Sequence, residues 1–468
     1  MTSSPNTRSS ANSSTSSSAS DLFDQSALET LAQRLVEAAR RGGADAADAV
    51  AVRHIAQSVE VRDGRVEESE RAESDDIGLR VLVGRRQAVV STNDVSGDAI
   101  DRLVERAVAM ARVAPDDKYV GLADPEQLAR EFPDLDLLDR NPPSTAELER
   151  RASEAEAAAL AVKGVSKSGG ASASSSINGM VLVTSTGFNG AFLRSSQSLS
   201  MTAIIGDGTS MERDYDYSSA PHAADLDTPD KIGRTAGERA VARANPRKVA
   251  TCKVPVIFDP RVSGSLVSHL INAANGATIA RKSSFLNGRL GEKLFDNPIR
   301  IIDDPLRRRG LRSQPFDGEG VAVQRRAIID DGVLTSWLLD CATARELGLV
   351  STGHAHRGVS SSPSPGAYNL HLEPGEVAPA ELIADIKDGF YVTDLIGSGV
   401  NQVTGDYSRG AAGQWIVNGE RCYAVSEVTI AGHLLEIYKH LSAANDLQFR
   451  HGTNAPTLRI EGLTIAGR

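Results

Sequence analysis

The spacing of apolar residues changes period several times along the chain, and each change marks an element. Leu28, Leu31, Leu35 and Val36 recur at helical spacing and predict a helix that starts near Asp24 or Ser26 and stops at Gly42-Gly43. Alternation then takes over. AVAVRHIAQSVEVRD and RVEESERA flank an Asp63-Gly64 turn, and GLRVLVGRRQAVVST folds back around Gly84, so this stretch reads as strands joined by tight turns. A second helix, from Gly97 to about Arg112, places Ile100, Leu103, Val104 and Val108 on one face. These segments predict a helix–strands–helix unit over residues 21–115.

Residues 113–143 are richer in Pro and Asp and read as a connection. Ser144 followed by Glu147 is a capping box that opens an Ala/Glu-rich helix reaching about Val162. Alternation returns in GMVLVTSTGFNGAFLRSSQSLSMTAIIGD, with a turn at Gly187–Gly190, and a further helix covers roughly Pro229 to Ala244. Residues 140–248 thus form a second α+β segment, which could share one domain with the first. From Lys253 the character changes: KVPVIFDP is a short buried strand and RVSGSLVSHLINAANG an apolar helix. Two hairpins follow, RRAIIDDGVLTSWLL around Asp331-Gly332 and QWIVNGERCYAVSEVTI around Asn418-Gly419. The fold class is α+β: mainly antiparallel mixed sheets with flanking helices, an N-terminal α/β part and a β-rich C-terminal domain over 249–468.

Composition removes several function classes. The 468 residues are 40% hydrophobic and 24% charged, with a net charge of −10, ordinary for a globular chain with a large core. The only run of cations is Arg307-Arg308-Arg309, so a nucleic-acid partner is not expected. Cys252, Cys341 and Cys422 form no CxxC pair, which points to a reducing compartment, the cytoplasm by default, and to no cysteine zinc site. No apolar run is long enough for a membrane span. Residues 1–20 are half serine and read as a disordered leader, whose deletion is expected to leave the melting temperature unchanged.

Common catalytic signatures are missing: there is no GxxxxGK[ST], no GxGxxG after a strand, no GxSxG and no HExxH. Gly397-Ser398-Gly399 is a lone GxG, and the glycine-rich GDYSRGAAG runs into a hairpin, not into the helix a phosphate cradle needs. His354 and His356 would point the same way on a strand and could share a metal, but no carboxylate flanks them, and a structural role is favoured. Asp317 and Glu319 in PFDGEGV could be an acid/base pair, although a turn with solvated carboxylates is the plainer reading. Trp337 and Trp415 are expected to pack on sheet faces.

Several long blocks of the C-terminal half nevertheless stand in a specific order: KSSFLNGRLGEKLF, Asp303-Asp304-Pro305, PFDGEGV, RRAIIDDGVLTSWLLD, ARELGLVSTGHA and VTGDYSRGAAGQWIVNGE. In these blocks the chain resembles the TldD/PmbA family, once called modulators of DNA gyrase, and GDYSRGAAG-x-W with STGHA resembles its PmbA (TldE) branch. The resemblance covers 250–468 in detail and the N-terminal half in layout. It implies a zinc metallopeptidase complex of two paralogous subunits, in which the TldD branch carries HExxxH on a helix and a further cysteine ligand before a Gly-Gln pair. This chain departs at each point. The equivalent helix reads His269-Leu270-Ile271-Asn272-Ala273-Ala274, and the cysteine position falls on Arg409. No acidic residue lies between Asp259 and Glu292, so the general base is missing in any register. His269 is then vestigial, no catalytic residue and no cofactor are assigned to this chain, and zinc is expected in a TldD-like partner. The resemblance implies a heterodimer with that partner, or a homodimer, acting on small unfolded peptides. The stretch Gly405, Asp406, Tyr407, Ser408, Arg409, Gly410, Ala412 and Gly413 is expected to be a loop that lines a peptide cavity or the subunit interface, its glycines admitting a partner backbone. A tryptophan at Ala412 should then block the partner and leave the fold intact. The alternatives are a metallopeptidase active by itself through His354 and His356, and a regulator of DNA topology.

Overall fold

The computed structural model describes residues 25–467; the serine-rich leader lies outside the described residues. In the N-terminal half the elements are α1 (Gln25–Arg41), β1 (Ala46–Arg62), β2 (Arg65–Val83), β3 (Arg86–Thr92) and α2 (Gly97–Val113). After the connection come α3 (Thr145–Leu160), β4 (Val165–Thr184), β5 (Asn189–Ile205), β6 (Glu212–Ala220) and α4 (Pro229–Ala242). All six strands form one antiparallel sheet in the order β3-β2-β1-β4-β5-β6. The pairing of β1 with β4 therefore joins the segments on either side of the 113–143 connection.

The four helices share one face of this sheet. Ala47, Ala49 and Ala51 of β1 pack with α1 and α2, whereas Val59 and Val61 at the other end of the same strand pack with α3 and α4. The Ser144 hydroxyl accepts from the Glu147 amide and fixes the start of α3. β4 begins at Val165, well before the alternating apolar run at Gly179. Its first half, VSKSGGASASSSIN, alternates alanine with serine, so a small residue stands wherever a helix lies close.

The C-terminal part opens with β7 (Cys252–Phe258) and α5 (Pro260–Ala273). β7 pairs in parallel with Asp388–Ile396 and antiparallel with Leu458–Ala466. The hairpin strands Asp406–Val417 and Glu420–His433 continue from Asp388–Ile396, and Thr429–Ala431 then pairs with Thr464–Ala466. The five strands thus close on themselves like a small barrel through a three-residue seam, which leaves the start of Glu420–His433 laddered on one side only. Val256, Phe258, Leu266, Leu270, Phe390, Trp415 and Ile430 belong to its core. The Asp331-Gly332 hairpin is shorter than its pattern suggests: Val333–Leu334 pairs with Asp330 and Ile329, and Trp337 lies beyond the ladder in the same core.

Candidate functional site

The site is set by α5 and the strand Asp406–Val417 facing it. Asp259 caps α5 by accepting from the Arg261 amide at 3.0 Å, and Pro260 pre-sets its first turn. Leu266, Val267, Leu270 and Ile271 turn inward, so Leu270 is fully buried in the core. His269 lies beside it, half-buried. Tyr407 and Arg409 are two residues apart on the strand and so share a face. The His269 and Tyr407 rings meet edge to face with centroids 6.0 Å apart.

Burial and then the Arg409 charge hold the His269 imidazole down at about 4, so it is neutral at neutral pH. Burial drives the Tyr407 phenol above its ordinary range against the opposing pull of the same guanidinium. His269 and Arg409 therefore lie close enough for the guanidinium charge to act on the imidazole. These residues do not fit zinc. A catalytic zinc site takes about three protein ligands, whereas one imidazole here faces a permanent cation that would repel a divalent ion. Among the described residues, no group of three His, Cys, Asp or Glu side chains could hold a metal.

The expectation of a loop over Gly405–Gly413 is corrected. Only the turn ending at Gly405 is irregular, held by the Gly405 amide donating to the Asn401 carbonyl at 2.8 Å; from Asp406 the chain is strand. The apolar pattern hid this start because the strand interior is glycine and alanine. Its glycines answer first to the chain's own neighbours. A Cβ at Gly413 would lie 2.0 Å from the Tyr391 carbonyl oxygen, and one at Gly405, where φ is +88°, would lie 3.0 Å from the His433 ring. Ala412 is only 5% exposed, so a tryptophan there overpacks the sheet and does not serve as a clean probe of an interface. Asp406 and Ser408 alternate onto the exposed side, and Gly410 abuts Ile396.

His354 and His356 do point the same way, but into packed interior. Both rings lie on Tyr368, at 5.6 and 4.7 Å, and His354 Nδ1 contacts the Thr352 hydroxyl at 2.8 Å. His354 Nε2 comes within 3.3 Å of Asp303, without hydrogen-bond alignment, and that carboxylate already accepts the Tyr368 amide. Burial pushes His356 down to about 4. The pair thus packs an interior wall.

The solvated reading of Asp317 and Glu319 is also corrected, since both are buried. Asp317 accepts from the amides of Glu319, Val321 and Ala355. Glu319 accepts from the Cys341 amide at 2.8 Å and lies 3.9 Å from Arg80. Burial raises both carboxyls, Asp317 well above the usual range. Through Arg80, Glu319 borders an ion network that seats the C-terminal part on the N-terminal sheet: Asp48 of β1 holds Arg80 of β2 on one side and Arg357 on the other. Two clefts of about 360 and 350 Å³ adjoin each other around Arg450 and His451 and include neither His269 nor Arg409.

Comparison with known proteins gives three family-model matches. The PmbA/TldA metallopeptidase domain 1 matches residues 47–111, the central domain 139–244 and the C-terminal domain 251–467. A metalloprotease PmbA from Escherichia coli O157:H7 is 37% identical over 91% of this chain and 93% of its own length. A PmbA homolog from Haemophilus influenzae is 36% identical over 92% and 94%. Among solved structures, one from Bacteroides thetaiotaomicron, described as a putative modulator of DNA gyrase, superposes with a TM-score of 0.87 at 28% identity, covering 96% of this chain and all of that one. TldE from Thermococcus kodakarensis shares the fold with a TM-score of 0.82 at 20% identity, covering 93% of this chain and all of that one. No helix among the described residues is long and apolar enough to cross a membrane.

Proposed function

We propose the following role for this chain, which belongs to the PmbA/TldD family of metallopeptidases: it is the subunit without a metal centre, paired in the cytoplasm with a zinc-carrying TldD-like paralogue to cleave short unfolded peptides. The observation that carries this reading is the exchange at α5, where His269 faces Arg409 and Tyr407 and Leu270 is core. A chain that holds its family's fold without the ligands for its family's metal is suited to shaping a peptide cavity beside a partner's centre. The hairpin strand Glu420–His433 supports this reading, since a short exposed stretch beside the ring could pair with an extended peptide through backbone groups alone.

Co-expression with a TldD-like paralogue tests the assignment. The expected result is a stable complex with chelator-sensitive peptidase activity, and a separated chain with neither stoichiometric zinc nor activity. One tightly held zinc per isolated chain, with hydrolysis that a chelator abolishes, would overturn it.

A further inference from the structure

We infer that Arg409, Tyr407 and His269 form a binding site for the C-terminal carboxylate of a peptide. The inference rests on the peptide-handling part of the proposed function, and it assigns chemistry to the position that has lost its metal ligands.

Three buried polar atoms here have no hydrogen-bond partner: Arg409 Nε, the Tyr407 hydroxyl and His269 Nε2. Buried polar groups are normally satisfied, and other buried tyrosines of this region obey that rule. Tyr368 donates to the Gly353 carbonyl at 2.9 Å, Tyr391 to Asp259 at 3.0 Å and Tyr438 to the Leu266 carbonyl at 3.0 Å. Tyr407, 1% exposed, does not. The unpartnered atoms belong to neighbouring side chains, since His269 meets Tyr407 edge to face and Arg409, two residues on in the same strand, shares the face of Tyr407.

Their chemistry defines the complement. A guanidinium nitrogen only donates, a phenol donates readily, and the imidazole nitrogen donates in one tautomer. Such a set calls for an oxygen acceptor. Arg409 spends one terminal nitrogen on the Leu395 carbonyl at 3.3 Å, and among the described residues no carboxylate forms an ion pair with it. A permanent, uncompensated cation favours a carboxylate over a neutral carbonyl. His269 and Arg409 are half-buried, Tyr407 is fully buried and the three unpartnered atoms lie below the surface, where a chain terminus is accommodated more readily than a continuous chain.

Fluorescence anisotropy with the isolated full-length chain tests this without the paralogue, so its failure is separable from failure of the complex assay. Three labelled alanine tetrapeptides are compared: one with a free C-terminus, one amide-capped, and one amide-capped with a single internal glutamate. The free acid is expected to bind about 10-fold or more tighter than the plain amide, as a charge-assisted contact would give. Arg409→Gln should abolish that preference. Tyr407→Phe removes one oxygen at nearly constant volume, and should weaken the free acid by about 5-fold without affecting the amide. Equal affinity for acid and amide, or no binding of either, overturns the site. Tight binding of the glutamate peptide alone overturns the assignment to a terminal carboxylate.

Discussion

Asp48→Ala is expected to destabilise the chain by about 3–5 kcal/mol, because it leaves two buried guanidiniums without their shared counter-ion. The side chains of Arg80 and Arg357 are 4% and 0% exposed, and both hold the Asp48 carboxylate. Without it Arg80 retains only Glu319 at 3.9 Å, and Arg357 already has two nitrogens with no partner. Asp48→Asn keeps the shape and loses the charge, so its cost should be smaller. Burial alone would push the Asp48 carboxyl up, but Arg357 and Arg80 together bring it below its ordinary value. The folded pKa is thus lower than the unfolded one, near 3.9. The stabilisation is then present above about pH 4 and lost as pH falls through the folded value, so the wild-type and Asp48→Asn unfolding curves should converge in acid. Urea unfolding at neutral and acid pH measures both effects. A loss below about 1 kcal/mol for Asp48→Ala would mean that the interface relaxes to hydrate the arginines.

That network also marks where the sequence stops being readable. The turn at Asp317 was legible, since an aspartate that accepts amides two and four residues on is a local motif. Its burial was not, because the groups that close over it, the Ala355 amide, the Cys341 amide near Glu319, and Arg80, come from distant regions of the chain. The helices were readable wherever leucine and valine recur at helical spacing, as in α1 and α2. β4 was half hidden because its buried positions there are alanine and serine and the positions between them half-buried serine, a contrast too small to register as alternation. At the site, the residues alone show an α5 without acidic side chains, and only the resemblance marks a glutamate and a second histidine as missing from it. The unpartnered Tyr407 hydroxyl left no signal in the sequence.

Gly413→Ala should cost about 3 kcal/mol, at the upper end of what overpacking costs, whereas Gly410→Ala in the same strand should stay within about 0.5 kcal/mol of wild type. The difference lies in what each added methyl meets. At Gly413 the Cβ would lie 2.0 Å from the Tyr391 carbonyl oxygen and 2.9 Å from its carbon, backbone atoms that cannot rotate away. The neighbouring pairing is already irregular, with the register shifting between Val392 and Asp394 and between Ala411 and Gly413. Admitting a methyl would therefore push adjacent strands of the closed ring apart at its bulge. At Gly410 the nearest atom is the Ile396 Cβ at 3.4 Å, an ordinary contact. If these glycines served only to admit a partner's backbone, both variants would fold normally and fail alike in complex formation. Close approach within the chain predicts the opposite split, with Gly413→Ala unfolding early in urea and Gly410→Ala matching the wild type. A Gly413→Ala chain as stable as the wild type would show that the strands can separate by a methyl, and the case for a glycine required by the fold at that position would be lost.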